Sequence, residues 1–215
     1  GCGKSTLVLL LLRLHDPSEG TVSIDGYNLR DVTPESVRGQ IGMVTQETQL
    51  FSGTVFDNIA CGRPVTEQAV VRAAQLAGAY DFVTELPYGF QTLVGERGLT
   101  LSGGQRQRVI IARALVTDPR ILIFDEATAA LDPLAEQAIH DRLRDIVRGR
   151  TTLIISHRLQ TLQHADRIVV MNKGRISQMG THESLMSAQG KLYSALAQAT
   201  PNWKRHGTEA GHGGE

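Results

Sequence analysis

"ILIFDEA" at Ile121–Ala127 is the stretch that decides the fold. A strand with one wet face alternates apolar and polar residues. This one is apolar without interruption from Ile121 to Phe124 and then turns acidic at Asp125 and Glu126. Such a run is the mark of a strand covered on both faces, as in a parallel sheet flanked by helices. "TTLIISH" at Thr151–His157 has the same character and reads as a second buried strand, while "IGMVTQ" at Ile41–Gln46 is a β-rich run. Between the first two, Pro133 opens a helix to about Val147. The expectation is an α/β fold.

Outward from that core the pattern changes. Residues 54 to 118 carry helical periodicity ("EQAVVRAAQLAGA", "QRQRVIIARALV") with no strong strand run, so a helical lobe over about 50–118 is expected to interrupt the α/β core. Near the start, Lys4–Leu14 reads as a buried helix stopped at Pro17 and Gly20. "TVSID" alternates as a strand, "DGYN" is turn chemistry, and "PESVRGQ" is a short helix begun by Pro34. Towards the end, "DRIVVMNKGRISQMG" reads as a hairpin turned at "NKG", and "THESLMS" opens with a capping pattern. Residues 200–215 are polar and rich in Gly and His, and are expected to be a disordered tail. No internal repeat stands out.

Composition narrows the function classes. The 215 residues suit one domain with an inserted lobe. Lys+Arg and Asp+Glu balance at 22 each, so there is no basic field for nucleic acid and no polybasic stretch for an anionic membrane surface. The two cysteines, Cys2 and Cys61, argue against a disulfide framework and suit a reducing compartment. The longest apolar run, Leu7–Leu12, falls far short of the roughly 20 residues of a spanning helix.

Three short segments carry chemistry. "GCGKST" at Gly1–Thr6 matches the end of a phosphate-binding loop, G-x-x-x-x-G-K-[ST]. Backbone N–H groups and the dipole at a helix start bind phosphate, Lys4 would reach the β/γ-phosphates, and Ser5 would ligand Mg²⁺. Alone, half a loop is also what a glycine turn before a helix looks like. Asp125 supplies the second Mg²⁺ anchor that such loops require at the end of a neighbouring strand. Glu126, one residue on, is placed to act as general base on an attacking water. "LSGGQ" at Leu101–Gln105 then opens the helix "RQRVIIARAL", with two glycines exposing N–H groups for a second anion. One nucleotide needs one such helix start. Two in one chain suggest a site shared between subunits.

Taken in order, these segments resemble the nucleotide-binding domain of an ABC ATPase, over Gly1 to about Leu196. The Walker A motif is the partial "GCGKST", the Q-loop is Gln46 in "VTQE", and the signature is "LSGGQ". Walker B is "ILIFDE", the D-loop is "AALD" ending at Asp132, and the switch histidine is His157 in "ISHRL". The resemblance implies a P-loop NTPase with a mostly parallel central sheet, an inserted helical lobe and a small antiparallel β part. It implies ATP and Mg²⁺, with Ser5, Gln46 and Asp125 at the metal and Glu126 and His157 catalytic. Gly1, Cys2, Gly3, Lys4, Ser5, Thr6 and Gln46 would hold the nucleotide from one side. Ser102, Gly103, Gly104, Gln105 and Asp132 would meet the nucleotide of a second, head-to-tail domain. The implied domain is 1–199, with residues 200–215 as a tail.

Two departures from the pattern bear on these expectations. The D-loop usually carries Ser where this chain has Ala129, which puts one contact across the dimer in doubt. The first glycine of Walker A, the strand before it and the upstream aromatic that stacks on adenine are not in the sequence. The expectation is therefore a C-terminal piece of a longer chain, poorly stable and weak in ATP binding as it stands.

"QETQLFSGTVFDNI" after Gln46 and "VGERG" at Val94–Gly98 resemble the exporter branch, whose members use the latter segment to touch their membrane domain. "AAQLAGAYDFVTELPYGF" with "IFDEAT" is most similar to exporters of peptides and proteins, with type I secretion ATPases among them and lipid or multidrug exporters close. The expected partners are a second nucleotide-binding domain and a transmembrane domain fused upstream, without nucleic acid, at the cytoplasmic face of a membrane. A soluble ABC ATPase acting on DNA or ribosomes is the alternative. It would require a long coiled coil, or two ATPase units with basic linkers, and the sequence has neither. A regulator that does not hydrolyse is a third reading, against which Glu126 and His157 both stand.

Overall fold

The computed structural model describes residues 2–45, 49–95, 99–126, 142–156, 159–187 and 192–199. They fall into two compact units, Leu9–Ile155 and a smaller one made of Gly1–Val8 with Ser156–Glu215.

Helix α1 (Lys4–Leu11) ends sooner than the expected stop at Pro17. Arg13 adopts a left-handed φ of 49°. Its N–H reaches the Leu10 carbonyl at 3.1 Å, and the Leu14 N–H reaches back to Leu9 at 2.8 Å. This is a Schellman closure with an arginine where glycine is usual. The Arg38 guanidinium also donates to the carbonyls of Leu12 and Arg13, each at 3.0 Å, so the helix end is satisfied from outside the helix. Of its residues only Val8 is buried, although the sequence pattern predicts burial throughout. A helix apolar on every side carries no polar face from which to read the covered one.

"TVSID" contributes only β1 (Ser23–Ile24), paired antiparallel with β2 (Tyr27–Asn28). Asp25 and Gly26, at φ 51° and 83°, form the left-handed pair that a tight hairpin needs. Helix α2 (Pro34–Arg38) starts at Pro34 and is capped by Thr33, whose hydroxyl accepts from Ser36 N–H. The main sheet is parallel, in the order β3 (Ile41–Val44), β6 (Ile121–Asp125), β7 (Thr151–Ile155). Leu122, Ile123 and Phe124 of β6 are buried, as the unbroken apolar run requires. In β7 only Ile155 is fully buried, because β7 is the edge of this sheet among the described residues. Arg150 joins the entrances of β6 and β7, donating to Asp118 Oδ1 at 2.6 Å, Pro119 O at 3.1 Å and Ile146 O at 2.7 Å.

Between β3 and β6 lie β4 (Gly53–Thr54), α3 (Val55–Ala60), α4 (Glu67–Ala77), α5 (Tyr80–Thr84), β5 (Leu93–Val94) and α6 (Gly103–Leu115). Strands β4 and β5 pair antiparallel over two residues. Thr54 and Asp57 make a capping box on α3, Thr66 caps α4, and Gly78 closes α4 in the left-handed conformation. Helix α6 packs on α3, α4 and the back of β3, burying Val109, Ile110, Ile111 and Ala112 in the core. β3 can approach α6 because Gly42 has no side chain. A Cβ there would overlap the Ala114 carbonyl and lie 2.8 Å from Pro119 Cγ. Residues 142–147 are helical; the start of the helix expected from Pro133 lies outside the described residues.

In the smaller unit, β8 (Ile168–Asn172) and β9 (Arg175–Gly180) form the expected hairpin. Lys173 and Gly174, at φ 48° and 75°, make its turn. Ile168 and Val170 pack with Leu185, Tyr193 and Ala197 from the helices His182–Ser187 and Leu192–Ala199. No helix of the described residues is long and apolar enough to cross a membrane.

Candidate nucleotide site

The first group of predicted residues sits in the smaller unit. Gly3 turns the chain into α1 at φ 98°, a conformation that L side chains rarely adopt. Space is not the constraint, since a Cβ at Gly3 would meet Met171 Cε at an ordinary 3.5 Å. The Leu7 N–H closes the first turn on the Gly3 carbonyl at 3.1 Å, and the Gly174 N–H fixes the Cys2 carbonyl at 3.2 Å. The loop is thereby tied to the β8–β9 turn. Ser5 and Thr6 stand exposed on the first turn of α1. There the leading N–H groups of a helix have no partner within it, so hydroxyls and N–H donors face the same way. That donor set fits a phosphate with its metal. Lys4 Nζ lies 3.5 Å from Cys2 Sγ. Burial pushes the Cys2 thiol up, but the Lys4 charge and its hydrogen bonding outweigh this and leave the thiol below its ordinary value.

The second group lies in the larger unit, at the carboxyl end of the parallel sheet. Register sets Val44 beside Phe124, Phe124 beside Ile154, and Asp125 beside Ile155, so the three strands finish together. In α/β sheets this edge is where ligands bind. Asp125 is the last residue of β6. Glu126 follows in a left-handed conformation at φ 49°, with its N–H donating to Ile155 O at 2.9 Å. A non-glycine residue held there is uncommon. Gln46 and His157 follow Val44 and Ile155 by two residues in sequence. Both lie outside the described residues, as do Gly1, Ala129 and Asp132.

The third group is the start of α6. Ser102 is its N-cap, at φ −63° and ψ 163°, and is exposed. The Gln105 N–H donates to Ser102 Oγ at 3.2 Å, and the Ser102 N–H donates to Gln105 Oε1 at 2.9 Å. Beyond its chain neighbours and the helix's own backbone, no heavy atom lies within 4 Å of where a Cβ on Gly103 would stand, so the backbone there is open to approach. Arg106 Nη1 donates to Leu101 O at 2.6 Å, and Arg108 Nε donates to Gly104 O at 3.2 Å.

Residues that no sequence motif singles out hold this helix in place. Arg108 also donates to Gly78 O at 3.0 Å and stacks 4.9 Å from the Phe82 ring centre. Arg113 lies 4.6 Å from the Phe51 ring centre and donates to Asn58 O and Asn58 Oδ1 at 2.7 and 2.9 Å. Asn58 is fully buried. Burial lowers the affinity of both guanidinium groups for their protons. Arginines recurring on the helix after the signature are visible in sequence, but a buried Asn has no pattern that distinguishes it from a surface one.

The ABC transporter family model matches residues 1–129, more than half of the chain. The alpha-hemolysin translocation ATP-binding protein HlyB of Escherichia coli O157:H7 is 51% identical over 199 residues, covering 92% of this chain and 28% of that protein. Mouse ATP-binding cassette sub-family B member 10, mitochondrial, is 50% identical, over 91% of this chain and 28% of its own length. Multidrug resistance protein 4 of Entamoeba histolytica is 46% identical, over 92% of this chain and 15% of its own length. The chain thus spans well under a third of each of these relatives. Among solved structures, a bacterial Atm1-family ABC exporter with ATP bound superposes with a TM-score of 0.84 at 45% identity, over 94% of this chain and 36% of that one. With an α/β fold, a parallel sheet ending in Asp125–Glu126 and a family match across residues 1–129, the chain belongs to the ABC transporter family and has its P-loop ATPase fold.

Proposed function

We propose that this chain is the ATP-binding and ATP-hydrolysing domain of an ABC exporter. The observation that carries the reading is the end of β6. Asp125 closes a buried strand, and Glu126 follows it with a left-handed backbone whose N–H is anchored to Ile155. Two successive carboxylates at the carboxyl end of a parallel sheet suit a metal ligand followed by a general base.

In this reading the N–H groups around Gly3 and the Lys4 ammonium hold the β- and γ-phosphates of ATP. Gly1, Cys2 and Thr6 complete the loop. Ser5, Gln46 and Asp125 hold Mg²⁺, which neutralises charge on the transferred phosphoryl group when bound. Glu126 takes the proton of the attacking water, and His157 keeps that water in line. Ser102, Gly103 and Gly104 close over the nucleotide of a second domain packed head to tail, with Asp132 at the same interface.

The chain's coverage of its relatives supports a membrane domain elsewhere in the same protein, with this domain at its cytoplasmic face. Phe51, Leu93 and Leu99 are large apolar residues left exposed beside the β4–β5 pair, which suits a docking surface for that domain. For cargo, the likeness to the alpha-hemolysin translocation protein supports peptides or proteins.

The test is ATP turnover by the full-length protein reconstituted in liposomes, with and without a panel of peptides and small amphiphiles. Turnover stimulated by peptides and abolished by Lys4→Met is expected. Turnover indifferent to Lys4→Met contradicts the ATPase reading, and stimulation by amphiphiles alone contradicts the peptide assignment.

A further inference from the structure

The turn of the β8–β9 hairpin lies against the phosphate loop, within one compact unit. We propose that Gly174, in that turn, is a positioning residue for the nucleotide: its N–H sets which edge of the Cys2–Gly3 peptide faces the phosphates. The inference rests on the ATPase reading above and concerns a residue that no motif marks.

Lys173 and Gly174 stand between Asn172 and Arg175, which pair across the hairpin. Both have a left-handed φ, 48° and 75°, as a tight turn of this kind requires. The ladder makes no use of the N–H of the second turn residue, so this donor is available to another segment. It goes to the Cys2 carbonyl at 3.2 Å. The packing is close as well: a Cβ on Gly3 would lie 3.5 Å from Met171 Cε and 3.7 Å from Gly174 Cα. In a planar trans peptide the carbonyl and the N–H that follows it point in opposite directions. Holding the Cys2 oxygen towards the turn therefore aims the Gly3 N–H away from it. Glycine populates positive and negative φ about equally, so Gly3, at φ 98°, would also accept this peptide turned over. The reversed peptide would present an oxygen where ATP needs a donor. Gly3 by itself does not choose between the two orientations; the Gly174 bond does.

Two substitutions separate this role from a merely structural one. Beyond its chain neighbours, no heavy atom lies within 4 Å of where a Cβ on Gly174 would stand, so a side chain there meets no steric bar. Gly174→Val and Gly174→Asn both keep the N–H and differ in backbone preference, since Asn tolerates the left-handed region and a β-branched residue does not. In the full-length protein, Gly174→Val is expected to raise KM for ATP about tenfold, the scale of the left-handed penalty for an L residue. Its kcat should change far less, because the loop grips ground state and transition state alike. Gly174→Asn should recover most of the lost affinity. Hydrogen exchange at the amide of position 174 should quicken in Gly174→Val and stay slow in Gly174→Asn. Lost structure alone would instead lower kcat through the folded fraction and leave KM in place.

A wild-type KM in Gly174→Val, or an equal rise in both variants, overturns the proposal. So does a fall in kcat at constant KM. Gly174→Ala, strained at the same φ with a smaller side chain, carries the same expectation if Gly174→Val does not fold. Lys4→Met serves as the parallel control. Turnover that survives it defeats the ATPase reading itself, while the exchange measurement still decides whether the turn grips the loop.

Discussion

Arg113, in the last turn of α6, donates through its guanidinium to both the backbone and the side-chain oxygen of Asn58 on α3, at 2.7 and 2.9 Å. The Asn58 amide in turn donates to Phe51 O at 2.9 Å and Thr54 O at 3.0 Å, so the buried Asn58 and the half-buried Arg113 join the signature helix to the segment that follows the Q-loop. Asn58→Leu would take the acceptor from Arg113 Nη2 and from the Phe51 N–H, and the donor from the carbonyls of Phe51 and Thr54, while the Arg113 Nε bond to the backbone oxygen at 58 remains. Unsatisfied buried groups cost about 1–3 kcal/mol each, so a loss of roughly 3 kcal/mol or more is expected in urea unfolding. Arg113→Lys should recover only part of the native stability, because an ammonium cannot form the planar fork. Equal midpoints for wild type and Asn58→Leu would refute this account of the hub.

Gly42→Ala tests the approach of β3 to α6. The new methyl would run into the Ala114 carbonyl and Pro119, neither of which is the end of a flexible chain. Overpacking of this kind costs about 1–3 kcal/mol. The thermal midpoint should fall. An unchanged midpoint would mean that the sheet and helix separate more easily than the packing implies.

The sheet's central strand and the long helices α4 and α6 were legible in sequence, since an unbroken apolar run and a 3.6-residue period are local signals. So were the end of that strand at Asp125 and the helix starts at Pro34 and after Ser102, because each depends on neighbours within a few residues. Gly42 was not, since "IGMV" reads as an ordinary strand until the last turn of α6 is known to lie against it. The end of α1 was not either: Arg13 closes the helix where no glycine or proline marks a stop, with Arg38 supplying donors from a distant point in the chain. The backbone of Glu126 was equally hidden. Its identity announces a carboxylate, but the left-handed turn depends on β7 alongside.

Lys4 lowers the affinity of the Cys2 thiol for its proton, and the thiolate is the nucleophile. Cys2 should therefore alkylate with iodoacetamide at a lower pH than an ordinary cysteine. Lys4→Met should move the alkylation profile of Cys2 to higher pH, while that of the exposed Cys61 stays put. Peptide mapping of the alkylated protein across a pH series spanning the ordinary thiol range, about 8.5, reads both sites at once. A Cys2 profile insensitive to Lys4→Met would contradict the pairing.

Tyr193 is buried, shares a hydrogen bond with His182 Nδ1 at 2.9 Å, and has its phenol pushed above the ordinary value by burial. A raised value in the folded state means that stability is fully present below the unfolded phenol's titration, near pH ~10. It is lost as pH rises beyond that point. Tyr193→Phe should be less stable near neutrality by about 1 kcal/mol, the scale of one hydrogen bond, and should lose stability less steeply in alkali. Parallel alkaline unfolding curves for the two proteins would count against the assignment.

The central claim is that Glu126, the residue after β6, is the base that activates water. The measurement is ATP turnover and ATP affinity of Glu126→Gln in the full-length protein. The account predicts turnover reduced by roughly 10²–10⁴, with ATP still bound and the two domains held closed over it. Turnover at the wild-type rate would contradict it.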